Sequence, residues 1–129
     1  YFFDLFSKRR MIAELEDTTA IIKNITGKEC RWFRPPYGVS NPPLAKAVNH
    51  CRLLTIGWSL KTKDTSGKKS SVLIKRIVKK INKRDMILMH DNREVSIKLT
   101  EKIIEIAKNK NYKISRPDHL LNIQAYNQK

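Results

Sequence analysis

Apolar residues recur along this chain in two rhythms, and their alternation predicts its architecture. Met11, Ile12, Leu15, Ile22 and Ile25 fall at helical spacing, behind Ser7 as a cap and ahead of Gly27 as a stop. Trp32-Phe33 then reads as a short buried strand, ended by Pro35-Pro36. Asn41-Pro42-Pro43 opens a second helix, with Asn41 as cap and Pro42 in the first turn, where a missing N–H costs nothing. That helix carries Leu44, Ala45 and Val48 inward to about His50. Leu53–Trp58 is continuously apolar, which suits a strand buried on both faces.

Asp64–Gly67 is a loop. From Ser70 or Ser71 a third helix turns Leu73, Ile74, Ile77, Val78 and Ile81 inward and Lys75, Arg76, Lys79 and Lys80 outward. Met86–Met89 is a strand, Glu94 to about Lys108 a fourth helix, and Tyr112–Ser115 a last short strand. Asp118 caps a closing turn through Leu121, and the final residues are expected to fray. Helices alternating with short apolar strands give an α/β fold with a parallel sheet and right-handed crossovers. Four strands are too few to close a barrel of the usual eight.

Composition narrows the function classes. At 129 residues the chain is one domain or part of one, with 40% hydrophobic residues. No apolar run approaches the roughly 18 residues of a membrane span. Tyr1-Phe2-Phe3-Asp4 has no initiator Met and no signal-peptide pattern, and it reads as the start of a piece of something longer. Net charge is +15, from 27 Lys plus Arg against 12 Asp plus Glu, which favours anionic partners. No aromatic residues are interleaved with the cations and no nucleic-acid motif is present, so nucleic-acid binding is not expected. An acidic cell-wall polymer fits the charge better. Cys30 and Cys51 both precede apolar runs, and the expectation is two buried free thiols rather than a disulfide.

Chemistry-bearing residues gather where strands stop. Arg34 ends the first strand, and the two prolines behind it fix the backbone that holds its guanidinium. Tyr37-Gly38 turns directly after them. Asp64 follows the Trp58 strand, and His90-Asp91 follows Ile87-Leu88-Met89. Strand ends of alternating α/β proteins are where sites are built. An Asp near a His can fix its tautomer and favour the charged ring, which suits a general acid. His50, in a helix's last turn, and His119 have no second ligand at metal spacing.

Arg34-Pro35-Pro36-Tyr37-Gly38, Trp58-Ser59-Leu60-Lys61-Thr62-Lys63-Asp64 and Leu88-Met89-His90-Asp91 resemble, in order and spacing, the last three motifs of the NodB-type polysaccharide deacetylases, the family four carbohydrate esterases. The resemblance implies a partial distorted (β/α) barrel, of which this chain would be roughly the C-terminal two-thirds of a single domain. It implies hydrolysis of N-acetyl groups on a peptidoglycan- or chitin-like glycan, in the cell envelope or outside the cell. It assigns His90 as general acid, Asp64 as the residue orienting it, and Arg34 as the orienter of a catalytic-base aspartate. Tyr37 would supply an oxyanion N–H and line the sugar groove, Leu88 would receive the acetyl methyl, and Pro36 and Trp58 would belong to the substrate side.

The family's motif Asp-x-x-Asp-Trp is Lys61-Thr62-Lys63-Asp64-Thr65 here, so the first Asp and the Trp are missing. A divalent metal of zinc or cobalt type is implied for the complete enzyme, with ligands in two earlier motifs that this sequence does not contain. The 129 residues alone are expected to hold no metal, to lack catalysis, and either to dimerise through an exposed sheet edge or to stay partly molten. The alternative is a non-catalytic glycan-binding remnant.

Overall fold

The computed structural model describes residues 2–127, and their contacts gather into two compact units, Tyr1–Gly57 with Leu121–Lys129, and Trp58–Leu120. The first is built on α1 (Lys8–Thr26), β1 (Trp32–Phe33), α2 (Pro42–His50) and β2 (Leu54–Thr55). Ser7 caps α1 by accepting from the Arg10 N–H, and Gly27 ends it in the left-handed region at φ 69°, a conformation a Cβ would disfavour. Asn41 caps α2 through the Leu44 N–H, with Pro42 at its first position. The strands β1 and β2 run parallel, Trp32 opposite Leu54 and Phe33 opposite Thr55. Met11, Leu15, Leu44, Ala47, Val48 and Leu53 make the core, with Phe3, Phe6 and Phe33 against it.

The second unit holds β3 (Leu60–Lys61), α3 (Ser70–Lys80), β4 (Ile87–Leu88) and α4 (Glu94–Asn109). Here β3 and β4 are also parallel, Leu60 opposite Ile87 and Lys61 opposite Leu88. Leu60, Leu73, Ile77, Ile81, Leu99 and Ile106 form its core, each burial contributing about 1.5–3 kcal/mol. A short α5 (Pro117–Leu121) follows. No helix among the described residues is long and apolar enough to cross a membrane.

Several expectations are corrected. Ile25 and Val78 are exposed, and on α2 Ala47 is buried while Ala45 is exposed, because each helix buries a narrower stripe than its apolar positions offer. The expected Leu53–Trp58 strand pairs only at Leu54–Thr55, which are exposed, while its flanks Leu53 and Ile56 are buried. The strand Leu60–Lys61 is not among the expected elements, since one apolar residue among Ser, Lys and Thr carries no strand signature. Tyr112–Ser115 forms no ladder. Asp118 lies inside the first turn of α5 and pairs with Arg116 rather than capping. The chain's end is tied down rather than frayed through residue 127: Cys30 and Tyr126 form an antiparallel bridge, and the Arg31 and Asn127 N–H groups donate to Ala125 and Glu29 carbonyls. Cys30 and Cys51 are free and half-buried.

Candidate active site

In the second unit, Asp64 is the centre of a closed hydrogen-bond network. Register does the first part of the work: the Thr62 N–H donates to the Leu88 carbonyl at 3.1 Å, which sets the residues after β3 beside those after β4. Lys63 then takes a left-handed φ of 64°, and a 3-10 turn over Asp64–Ser66 closes on Gly67 at φ 71°. The turn drives the Asp64 side chain inward, to 4% exposure.

Four donors meet its carboxylate. Oδ2 accepts from the His90 backbone N–H at 2.7 Å and from the Ser96 hydroxyl at 2.9 Å. Oδ1 lies 3.0 Å from the Thr62 hydroxyl, which is also 2.9 Å from the Leu88 carbonyl. The His90 ring nitrogen Nδ1 lies 3.1 and 3.2 Å from Oδ1 and Oδ2. Burial works against ionisation of Asp64, but the His90 backbone, His90 ring, Ser96 and Thr62 bonds together outweigh it and lower the carboxyl to about 2. The ionised carboxylate can only accept, so Nδ1 carries the proton. Nε2 is thereby left for proton transfer, on a side chain 41% exposed. Leu88, opposite Lys61 in the ladder, is half-buried, as is Trp58, with the Lys61 Nζ 5.9 Å from the Trp58 ring centroid.

The first unit brings Arg34, Pro36 and Tyr37 together. The Arg34 guanidinium, just past β1, donates from Nε to the Ile56 carbonyl at 3.4 Å and from Nη2 to the Gly57 carbonyl at 3.3 Å. Pro35 is buried, and Pro36–Gly38 forms a 3-10 turn in which Gly38 N–H donates to Pro35 and Val39 N–H to Pro36. Tyr37 adopts φ 58°, a strained value for a non-glycine residue, and is 68% exposed as a residue. His50 lies 3.9 Å from Glu16 on the helical face of the same unit.

Sequence reasoning missed Thr62 and Ser96. Thr62 sits two residues before Asp64, and Ser96 on the first turns of α4, six residues after His90; only the fold shows that both aim at one carboxylate. Among the described residues, no group of three or more His, Cys, Asp or Glu could hold a metal ion.

Residues 3–56 match the family model described as polysaccharide deacetylase. The chain is 29% identical over 112 residues to an uncharacterized Bacillus subtilis protein, YlxY, covering 87% of this chain and 35% of that one. It is 31% identical over 78 residues to a bifunctional xylanase/xylan deacetylase of Cellvibrio japonicus, 60% of this chain and 12% of that one. Among solved structures, the peptidoglycan deacetylase PdaC of Bacillus subtilis superposes with a TM-score of 0.82 at 21% identity, over 95% of this chain and 59% of that one. The chitin deacetylase of Colletotrichum lindemuthianum gives 0.85 at 19% identity, over 97% and 61%. BA3943 of Bacillus anthracis, a family four pseudoenzyme, gives 0.78 at 27% identity, over 91% and 41%. The chain thus spans about a third of its Bacillus relative and less of the Cellvibrio one. Family model and solved structures agree on one fold: the chain carries the NodB-type polysaccharide deacetylase fold, that of the family four carbohydrate esterases, as its motifs implied.

Proposed function

We propose that this chain supplies the protonating machinery of a polysaccharide N-deacetylase acting on N-acetyl groups of a peptidoglycan- or chitin-like glycan. The observation that supports this most is the Asp64–His90 pair, whose shared hydrogen bonds leave Nε2 as the reactive nitrogen. Hydrolysis of an acetamide needs a proton for the departing amine, because an amide anion is a very poor leaving group. The imidazolium gives that proton from Nε2 and keeps Nδ1–H on Asp64, which holds the ring's orientation. Leu88 offers an apolar side chain for the acetyl methyl. On the family resemblance, the Tyr37 N–H would steady an oxyanion and Arg34 would orient a base aspartate. Pro36 and Trp58 are assigned to substrate on the same ground.

The divalent metal of the family does not fit these residues, since no group of three ligands exists among those described. Calorimetry with zinc on the 129-residue chain is expected to show no tight one-to-one site; a tight one would require a new ligand set, with His90, Asp91 and Asp64 the first suspects.

A second reading, a non-catalytic glycan-binding protein, is favoured by Lys61 and Thr65 standing where the motif has Asp and Trp, and by the 27% identity to a pseudoenzyme. One experiment separates the two. Acetate release from chitin oligosaccharides and peptidoglycan is measured with the longest natural form of the polypeptide, alongside His90→Asn. The deacetylase reading expects turnover that falls by about 10²–10⁴ in kcat with KM little changed. Glycan binding without acetate release would establish the second reading instead. A dimer through an unpaired strand edge belongs to the same proposal for the 129-residue chain, and a compact monomer in sedimentation would remove it.

A further inference from the structure

The positive charge of this protein is concentrated in one place. Between Lys68 and Arg84 the sequence holds eight cations (Lys68, Lys69, Lys75, Arg76, Lys79, Lys80, Lys83 and Arg84) and no Asp or Glu. Those seventeen residues carry eight cations in a chain whose net charge is +15. In the structure they are α3 and its two flanks. Leu73 and Ile77 turn the apolar side of α3 into the core, so Lys75 and Lys79 face outward one turn apart. Lys68 and Lys69 precede the helix, and Lys80, Lys83 and Arg84 close and follow it, all exposed. Arg76 alone is spent internally, donating to the Lys61 carbonyl. Among the described residues, none of the other seven takes part in a salt bridge, although Lys23, Lys102, Arg10 and Arg116 elsewhere all do.

Folding does not ask for this arrangement. Like charges one turn apart on a helix destabilise it, though by less than a core contact stabilises it, and lysines before the first turn oppose the helix dipole. Asp85 directly follows Arg84 but is engaged by the Asn82 N–H and the Ser59 hydroxyl, and α4, packed against α3, carries Glu94, Glu101 and Glu105 without an ion pair to these cations among the described residues. An uncompensated cationic face of this kind is neutralised by a ligand that brings its own regular negative charge.

The shape of the face selects the ligand. The helix is about 16 Å long, and the flanking cations extend the track at both ends, so a long polymer engages it better than a single anion. The exposed apolar residues on it are Val72 and Val78 only, too little surface to insert into a lipid bilayer. It has no aromatic side chain on which a nucleobase could stack. Lysine is a strongly hydrated point charge suited to phosphate without bidentate geometry. We infer that α3 and its flanks form a docking track for a linear, base-free phosphodiester polymer of the alditol phosphate kind, holding the protein against a polyanionic matrix.

The test is binding of a synthetic poly(glycerol phosphate) of about ten repeats to the full 129-residue chain at increasing salt. Inorganic phosphate, random-sequence duplex DNA and phosphatidylglycerol vesicles serve as comparison probes. Neutralising about five phosphates should give a log–log salt slope near about −3.5, taking the single-strand coefficient of about 0.7 per phosphate. Lys75→Glu/Lys79→Glu should weaken binding at least tenfold. Lys75→Gln/Lys79→Gln, which keeps the helix propensity, should give a smaller loss in the same direction. Lys46→Glu/Lys113→Glu changes net charge equally at residues outside α3 and its flanks and should alter affinity less than twofold. Equal losses in both charge-reversed variants, no loss in the α3 variants, or tighter binding to DNA or vesicles at the same salt would each overturn the inference.

Discussion

The two units carry their chemistry in opposite ways. In Trp58–Leu120 the key carboxylate is buried and every donor around it comes from the same unit, so geometry and charge are fixed together. In the other unit the turn after β1 is exposed, its tyrosine is held at a strained φ, and the nearby Trp32 Nε1 is buried without a hydrogen-bond partner. A site of the first kind contributes to the stability of its unit. A turn of the second kind costs stability and persists because Pro35 and Pro36 hold it. The same substitution logic should therefore give opposite signs in the two places.

The largest contrast is expected from Asp64→Ala. It removes the acceptor for a buried N–H and two hydroxyls, and should lower the unfolding free energy by about 3 kcal/mol in chemical denaturation. A loss below about 1 kcal/mol would mean that water replaces the carboxylate and the network is not closed.

The next effect is a dependence on pH. The Asp64 carboxyl is lowered from 3.8 to about 2, so the unfolded state binds its proton first as pH falls. Its contribution is fully present above about pH 4 and is lost as pH drops through about 2, amounting to about 2 kcal/mol. Stability curves of wild type and Asp64→Asn between about pH 2 and pH 5 should converge toward the acid end. Parallel curves would contradict the lowered value.

Ser96→Ala should cost about 1 kcal/mol, and Ser96→Thr should restore much of it by returning the hydroxyl. Tyr37→Gly is the smallest change and runs the other way. It relieves a left-handed φ where no buried side chain is lost, so a gain of about 0.5 kcal/mol is expected from thermal unfolding. Destabilisation by Tyr37→Gly would show that the ring makes contacts worth more than the strain.

Much of this division was legible in the residues. Ser7, Gly27, Asn41 and Pro42 announce α1 and α2 because caps and stops act locally: α1 begins and ends, and α2 begins, where those residues place them. The pairing of Asp64 with His90 was legible only through the family motifs, since 26 residues separate them. Thr62 and Ser96 were not legible at all. Each is an ordinary hydroxyl residue whose role comes from the β3–β4 register and from the way α4 packs. The strands were hardest, because ladders of two residues leave no period to read, and β3 has one apolar residue. Exposure of Val78 and Ile25 likewise follows from which neighbours exist, not from spacing.

Everything proposed for the site depends on Asp64 holding His90 with its proton on Nδ1. Nitrogen-15 NMR of the His90 ring in its neutral form reads this directly. A single tautomer is expected, protonated at Nδ1 with Nε2 bare, and that preference should be lost in Asp64→Asn. A ring protonated on Nε2, or a tautomer ratio unchanged by Asp64→Asn, would contradict it.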